Sequence, residues 1–181
     1  DFNDINQFRD LDSQRFYREE LAKGASPEEI LVKLRAKSRD NARTPMQWND
    51  QPNGGFSDHQ PWISSNPNAR YINVANEVEQ PDSVLNFYRQ LIHLRLKDPI
   101  LLNGQYQLIE THDHQSFVYQ REENHVGYLV ITNLSDQPAT VTISDRYQNR
   151  QLVLTNTTEK QQSSTMALKP WAAYLYKYER N

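Results

Sequence analysis

Apolar residues change spacing along this 181-residue chain, from a helical period in the first hundred residues to strict alternation near the end. Asp12 or Ser13 can cap a helix carrying Phe16, Tyr17 and Leu21, which Gly24 would stop from the C′ position. Ser26, Pro27 and Glu29 then supply a cap, an N1 proline and a capping-box glutamate ahead of Ile30, Leu31 and Leu34. That predicts a second short helix ending near Lys37. Pro81, Asp82 and Ser83 open the strongest helix. Its Val84, Leu85, Tyr88, Leu91, Ile92 and Leu96 share one face, with Arg89, Arg95 and Lys97 off it, and it ends at Asp98 before Pro99. His93 within it reads as a packed or boundary residue rather than a ligand.

From Gly104 the period becomes two. Candidate strands are Tyr106–Glu110, Phe117–Arg121, Tyr128–Asn133, Thr140–Ser144, Gln151–Thr155, Ser164–Leu168 and Ala172–Tyr178. Seven short strands with polar turns predict a small antiparallel β-sandwich, and an α+β chain whose domains span residues 1–103 and 104–181. His112 and His114 share a turn; without a third ligand in view, we read a plain hairpin and no metal.

Two stretches fit neither period. Ser38 to Trp62 reads as one long, specified loop, stiffened by Pro45, Pro52 and Pro61 and bent where Gly54 and Gly55 allow backbone angles closed to other residues. Asn66 to Gln80 is polar and reads as ordered coil anchored by Tyr71, Ile72 and Val74.

Composition narrows the function classes. The formal charge is −3, from 20 basic and 23 acidic residues spread evenly, which leaves no basic stripe for nucleic acid or anionic lipid. No cysteine means no disulfide framework and no thiolate metal site, which suits a cytoplasmic origin. There is no apolar run long enough for a membrane span and no signal peptide. Hydrophobic content of 36% and a mean hydropathy of −0.89 are low for a self-contained globule, and the chain starts at Asp1 rather than Met. We therefore read it as a piece of a longer protein. The sequons at Asn133 and Asn156 carry little weight in that setting.

Candidate chemistry concentrates in the loop. Arg39 and Arg43 stand among Asp40, Asn41 and Thr44, so planar guanidinium forks lie beside acceptors able to fix them. Trp48, Phe56 and Trp62 add rings on which sugars could stack. The alternative is that the rings pin the loop and the arginines tie its carbonyls. No pair of carboxyls suited to glycoside hydrolysis is visible: Asp40 sits between arginines, Asp50 and Asp58 in turns, and the acidic residues of 1–10, which could suggest a metal or carboxylate cluster, we read as no site.

The wording KSRDNARTPMQWND, then GGFS, PWISSNPN and YINV, resembles the late segment of α-glucosidases and oligo-1,6-glucosidases of the α-amylase superfamily. Trehalose-6-phosphate hydrolases and dextran glucosidases stand close behind. The resemblance extends upstream through FRDLDSQRFYREELAKG and downstream through DSVLNFYRQLIHLRLKDPIL, covering roughly residues 1 to 110, and is looser beyond. It implies that residues 1–80 follow the eighth strand of a (β/α)8 barrel, that Pro81–Asp98 is the eighth helix, and that a C-terminal β domain follows.

By the same resemblance the three catalytic carboxylates would precede Asp1, so this chain holds no catalytic residue and would be inert alone. Arg39 would face the glucose at the non-reducing end, with Arg43 second. Asp40, Asn41, Met46, Gln47 and Trp48 would support them from behind. The parent would be a retaining, exo-acting α-glucosidase working on α-1,6 or α-1,4 bonds, without cofactor or metal. Its partners would be an oligosaccharide and the missing N-terminal barrel. A non-catalytic carbohydrate-binding or stability module is the alternative.

Overall fold

The computed structural model describes residues 2–180 and divides into two compact units, Asp1–Asn86 and Phe87–Asn181.

In the first unit, α1 (Leu11–Ala22) is capped by Asp10, whose Oδ2 accepts the Ser13 N–H at 3.1 Å. The cap therefore lies upstream of Asp12 and Ser13, which both fall inside the first turn. Gly24 ends the helix at φ +92, with Gly24 N–H reaching Leu21 O and Ala25 N–H reaching Glu20 O, the paired bonds of a Schellman stop. The α2 helix (Pro27–Lys37) carries the expected capping box: Glu29 N–H donates to Ser26 Oγ and Ser26 N–H to Glu29 Oε2. Ile30, Leu31 and Leu34 of α2 bury themselves with Phe8, and Phe2, Ile5, Phe16 and Tyr17 pack around them.

Residues 38–62 form no strand or α-helix, only 3-10 turns at Arg39–Ala42 and Pro52–Gly55. Gly54 and Gly55 both sit at φ +66, and a Cβ on Gly55 would fall 2.3 Å from Asn49 Oδ1. The region expected to be coil instead holds a 3-10 turn, Pro67–Arg70, and a short helix, α3 (Val74–Glu79). Its anchors differ too. Tyr71 and Ile72 are exposed, while Ile63, Ala69 and Asn73 are buried. Asn73 is the reason the helix forms: its Oδ1 accepts Asn76 N–H and its Nδ2 donates to Ala69 O. A six-residue helix set by one capping amide leaves no apolar period to read.

The α4 helix (Val84–Lys97) runs across the division between the units and buries none of its residues. Val84, Tyr88, Ile92 and Leu96, four residues apart, are each more than half exposed, and His93 is exposed rather than packed. A further short helix, α5 (Ile100–Asn103), follows Pro99, with Asp98 Oδ1 accepting the Ile100 N–H.

All seven strands form: β1 (Gln105–Ile109), β2 (Ser116–Glu123), β3 (Val126–Asn133), β4 (Ala139–Thr142), β5 (Gln151–Thr155), β6 (Thr165–Leu168) and β7 (Ala173–Glu179). Five make an antiparallel sheet in the order β1-β2-β3-β7-β5, and β4 pairs with β6 in a second sheet. Val118, Leu129 and Ile131 from the larger sheet and Val141, Met166 and Leu168 from the smaller share one core with Tyr174, Tyr176 and Tyr178, which makes this a two-layer sandwich. Asp98 Oδ2 accepts Tyr128 Oη at 2.7 Å and Lys177 Nζ at 3.0 Å, fixing the end of α4 to β3 and β7. The turn with His112 and His114 is a hairpin: Asp113 accepts the N–H of Gln115 and of Thr140.

Candidate functional site

Two buried carboxylates organise the arginine cluster. Asp40 is fully buried, and its Oδ2 accepts the backbone N–H of Arg9 at 2.6 Å and of Asp10 at 2.9 Å. Its Oδ1 faces Arg43 Nη1 at 3.4 Å. Asp10 is 4% exposed and splits its oxygens between two tasks. Oδ2 takes the Ser13 N–H and hydroxyl, at 3.1 and 3.0 Å, while Oδ1 meets Arg39 Nη2 at 2.5 Å and Arg43 Nη1 at 3.4 Å. Arg39 Nη2 also reaches the exposed Asp12 at 2.7 Å.

The local fold makes this meeting possible. Where α2 ends, Ser38 turns the chain: its Oγ accepts the Asp40 N–H and shares a bond of 2.9 Å with Ser13 Oγ, tying the loop to α1. Arg9 Nε donates to Trp62 O, which closes the far end of the loop onto the same point. Burial by itself would push the Asp10 carboxyl up, but the bonds from Arg39 and Ser13 outweigh it and hold it below the ordinary carboxylate range.

Arg39 and Arg43 remain substantially exposed although their carboxylate partners are not. Arg39 stands on the wall of an open hollow of about 740 Å³, which Asp10, Asp12, Phe16 and Lys37 also line. With Arg15 also on Asp12, at 3.4 Å, three carboxylates face three guanidiniums and the cluster is balanced in charge. Such a site suits neutral hydroxyl groups better than anions.

Arg39, Asp40 and Arg43 thus come together, and Asn41 ties the turn to α2 by donating from Nδ2 to Arg35 O. Gln47 is held elsewhere, donating from Nε2 to Asn68 Oδ1 and to Ile72 O. Gln47 O and Trp48 O accept the first N–H groups of α3, from Val74 and Ala75, so this stretch closes the N-terminus of that helix. Met46, Trp48, Phe56 and Trp62 leave about half or more of their surface exposed. Asp50 and Asp58 are exposed in turns.

Sequence reasoning missed Asp10, Asp12, Ser13 and Ser38. The available signal was stoichiometric: two arginines need more counter-charge than Asp40 supplies, and Asp10 and Asp12 are an acidic pair at a helix start. Among the described residues no group of three or more His, Cys, Asp or Glu side chains could hold a metal ion.

Residues 11–104 match the alpha amylase catalytic domain and residues 117–174 the alpha-amylase SusG C-terminal domain. The chain is 37% identical to an oligo-1,6-glucosidase of Parageobacillus thermoglucosidasius and 36% identical to a glucan 1,6-alpha-glucosidase of Streptococcus pneumoniae, matching over 97% and 96% of its own length. It superposes on the crystal structure of a Bacillus licheniformis trehalose-6-phosphate hydrolase with a TM-score of 0.93 at 33% identity, covering 99% of this chain and 33% of that one. The chain spans about a third of the length of the curated relatives it matches, 32% in both cases. The arginine cluster falls largely within the part matched to the catalytic domain, and the sandwich within the part matched to the C-terminal domain, so the chain belongs to the alpha-amylase family.

Proposed function

We propose that this chain supplies the rim of the sugar site and the C-terminal β domain of a retaining, exo-acting α-glucosidase. Its relatives' names favour α-1,6 bonds of short oligosaccharides, with α-1,4 bonds second. Arg39 receives hydroxyls of the terminal glucose and Arg43 assists. The observation that carries this is the pair of exposed guanidiniums held from behind by buried Asp10 and Asp40. A fork locked on one side by carboxylates offers its remaining N–H groups in a fixed direction, which is what adjacent sugar hydroxyls require.

The reacting carboxyls belong to polypeptide outside this chain. Asp10 and Asp40 cannot serve, since both are occupied by several donors and Asp10 is held ionised, leaving it no proton to give. On this reading the barrel part ends near residue 103, the exposed apolar line of α4 is where the rest of the barrel packs, and the protein works in the cytoplasm. The exposed rings Trp48, Phe56 and Trp62 favour a second reading, a sugar-binding module active without a barrel. A parent acting on trehalose 6-phosphate or dextran is a third, favoured by relatives named trehalose-6-phosphate hydrolase and glucan 1,6-alpha-glucosidase.

Kinetics of the longer protein on isomaltose, maltose and trehalose 6-phosphate distinguish these. Arg39→Ala should lower kcat/KM on the preferred neutral disaccharide by about a hundredfold, the loss of two charge-assisted hydrogen bonds. Unchanged kcat/KM would remove Arg39 from the site.

A further inference from the structure

The two oxygens of Asp10 serve two different structures. Oδ2 caps α1 through Ser13, and Oδ1 contacts both arginines, Arg39 at 2.5 Å and Arg43 at 3.4 Å. Both contacts of Arg39 to carboxylates use Nη2, and both of Arg43 use Nη1. That assignment leaves Nε and Nη1 of Arg39, and Nε and Nη2 of Arg43, for other acceptors. Asp10 is the carboxylate common to both forks, and its own backbone is fixed where Asp40 accepts its N–H.

We propose that Asp10 is a positioning residue: its Oδ1 sets the direction in which Arg39 and Arg43 present their remaining donors to the sugar, independently of the helix cap made by Oδ2. This rests on the proposed function in requiring that the arginines meet a sugar. Asp12 cannot do the same work, because it is exposed to competing water, divides its oxygens between Arg39 and Arg15, and does not reach Arg43. Without Oδ1 the Arg39 fork regains its rotamers, and each productive encounter must order it again.

Asparagine separates the two roles. It caps helices about as well as aspartate, so Asp10→Asn can keep the Ser13 bonds, but its amide NH2 cannot accept from a guanidinium. Ser26→Ala is the stability control, removing the capping box of α2 and touching neither arginine.

The test measures KM, kcat and melting temperature of the longer protein on its preferred disaccharide. Asp10→Asn should raise KM about tenfold with little loss of melting temperature, while Ser26→Ala should lower melting temperature and leave KM within twofold. A wild-type KM in Asp10→Asn, or KM rising with lost stability in both variants, overturns the proposal. If the unsubstituted protein cleaves none of the disaccharides, the functional reading fails instead. Positioning is then read from the 15N signal of Arg39 Nη2, the nitrogen that meets Asp10, in this chain. Loss of its hydrogen-exchange protection in Asp10→Asn supports the proposal, and an unchanged signal overturns it.

Discussion

Arg39 is held by Asp10 and Asp12, distant in sequence, and Arg43 by Asp10 and its neighbour Asp40, and this governs what single substitutions should do. Asp40 accepts two backbone N–H groups in a place water does not reach. Asp40→Ala leaves the buried Asp10 N–H and the part-buried Arg9 N–H unmatched, which should cost about 3 kcal/mol in urea unfolding, since a buried orphan costs roughly 1–3 kcal/mol. Asp50→Ala, in an exposed turn, should change stability by less than about 0.5 kcal/mol. Gly55→Ala should be destabilising by about 1–3 kcal/mol, because it places a side chain at φ +66 against Asn49. The sequence showed the glycines' role and the Ser26 capping box because both depend on neighbours within a few residues. It did not show Asp10 meeting Arg39, because that contact is made only after α1 and α2 have packed.

At the scale of elements, periodicity found α1, α2, α4 and every strand, and missed α3 and α5, which are too short to show a period. Strand pairing was beyond its reach, since β7 enters the sheet between β3 and β5 and only the folded chain reveals that order. The α4 face is the instructive case. Its spacing predicts burial, yet Val84, Tyr88, Ile92 and Leu96 are exposed. A helical period reports that a face is suited to packing without reporting what packs there. Ile30→Ala, in the α1–α2 core, should cost about 2–5 kcal/mol in this chain. Ile92→Ser should be close to neutral here and destabilising in the longer protein, if the barrel covers that face as proposed. Equal effects in both settings would remove α4 from that interface.

For the whole molecule, titration sets the limits of stability. Asp10 and Asp98 are both held below the ordinary value of 3.8: burial opposes this in each, and the donors, Arg39 and Ser13 for one, Tyr128 and Lys177 for the other, outweigh it. A lowered folded pKa adds stability that is complete above about pH 4 and fades as pH falls through the folded value. In the sandwich the opposite sign holds. Burial raises Tyr128, Tyr147, Tyr176 and Tyr178 above 10.0, with Tyr176 pushed up to about 12. Their contribution is complete below about pH 10 and is lost as pH climbs through the folded values. Melting temperature should therefore be nearly flat between those limits and fall at both ends. Asp98→Asn should flatten the acid limb, and an acid limb unaltered by that change would discount the bond to Tyr128 and Lys177.

The most direct test is release of p-nitrophenol from its α-glucoside by this chain alone, with the longer protein as positive control. No release by the chain and steady release by the longer protein are expected, because on the proposed reading the arginine cluster is only a wall of the site, and its own carboxylates are occupied. Turnover by the chain that Asp40→Asn abolishes would contradict the account and make this polypeptide an enzyme in its own right.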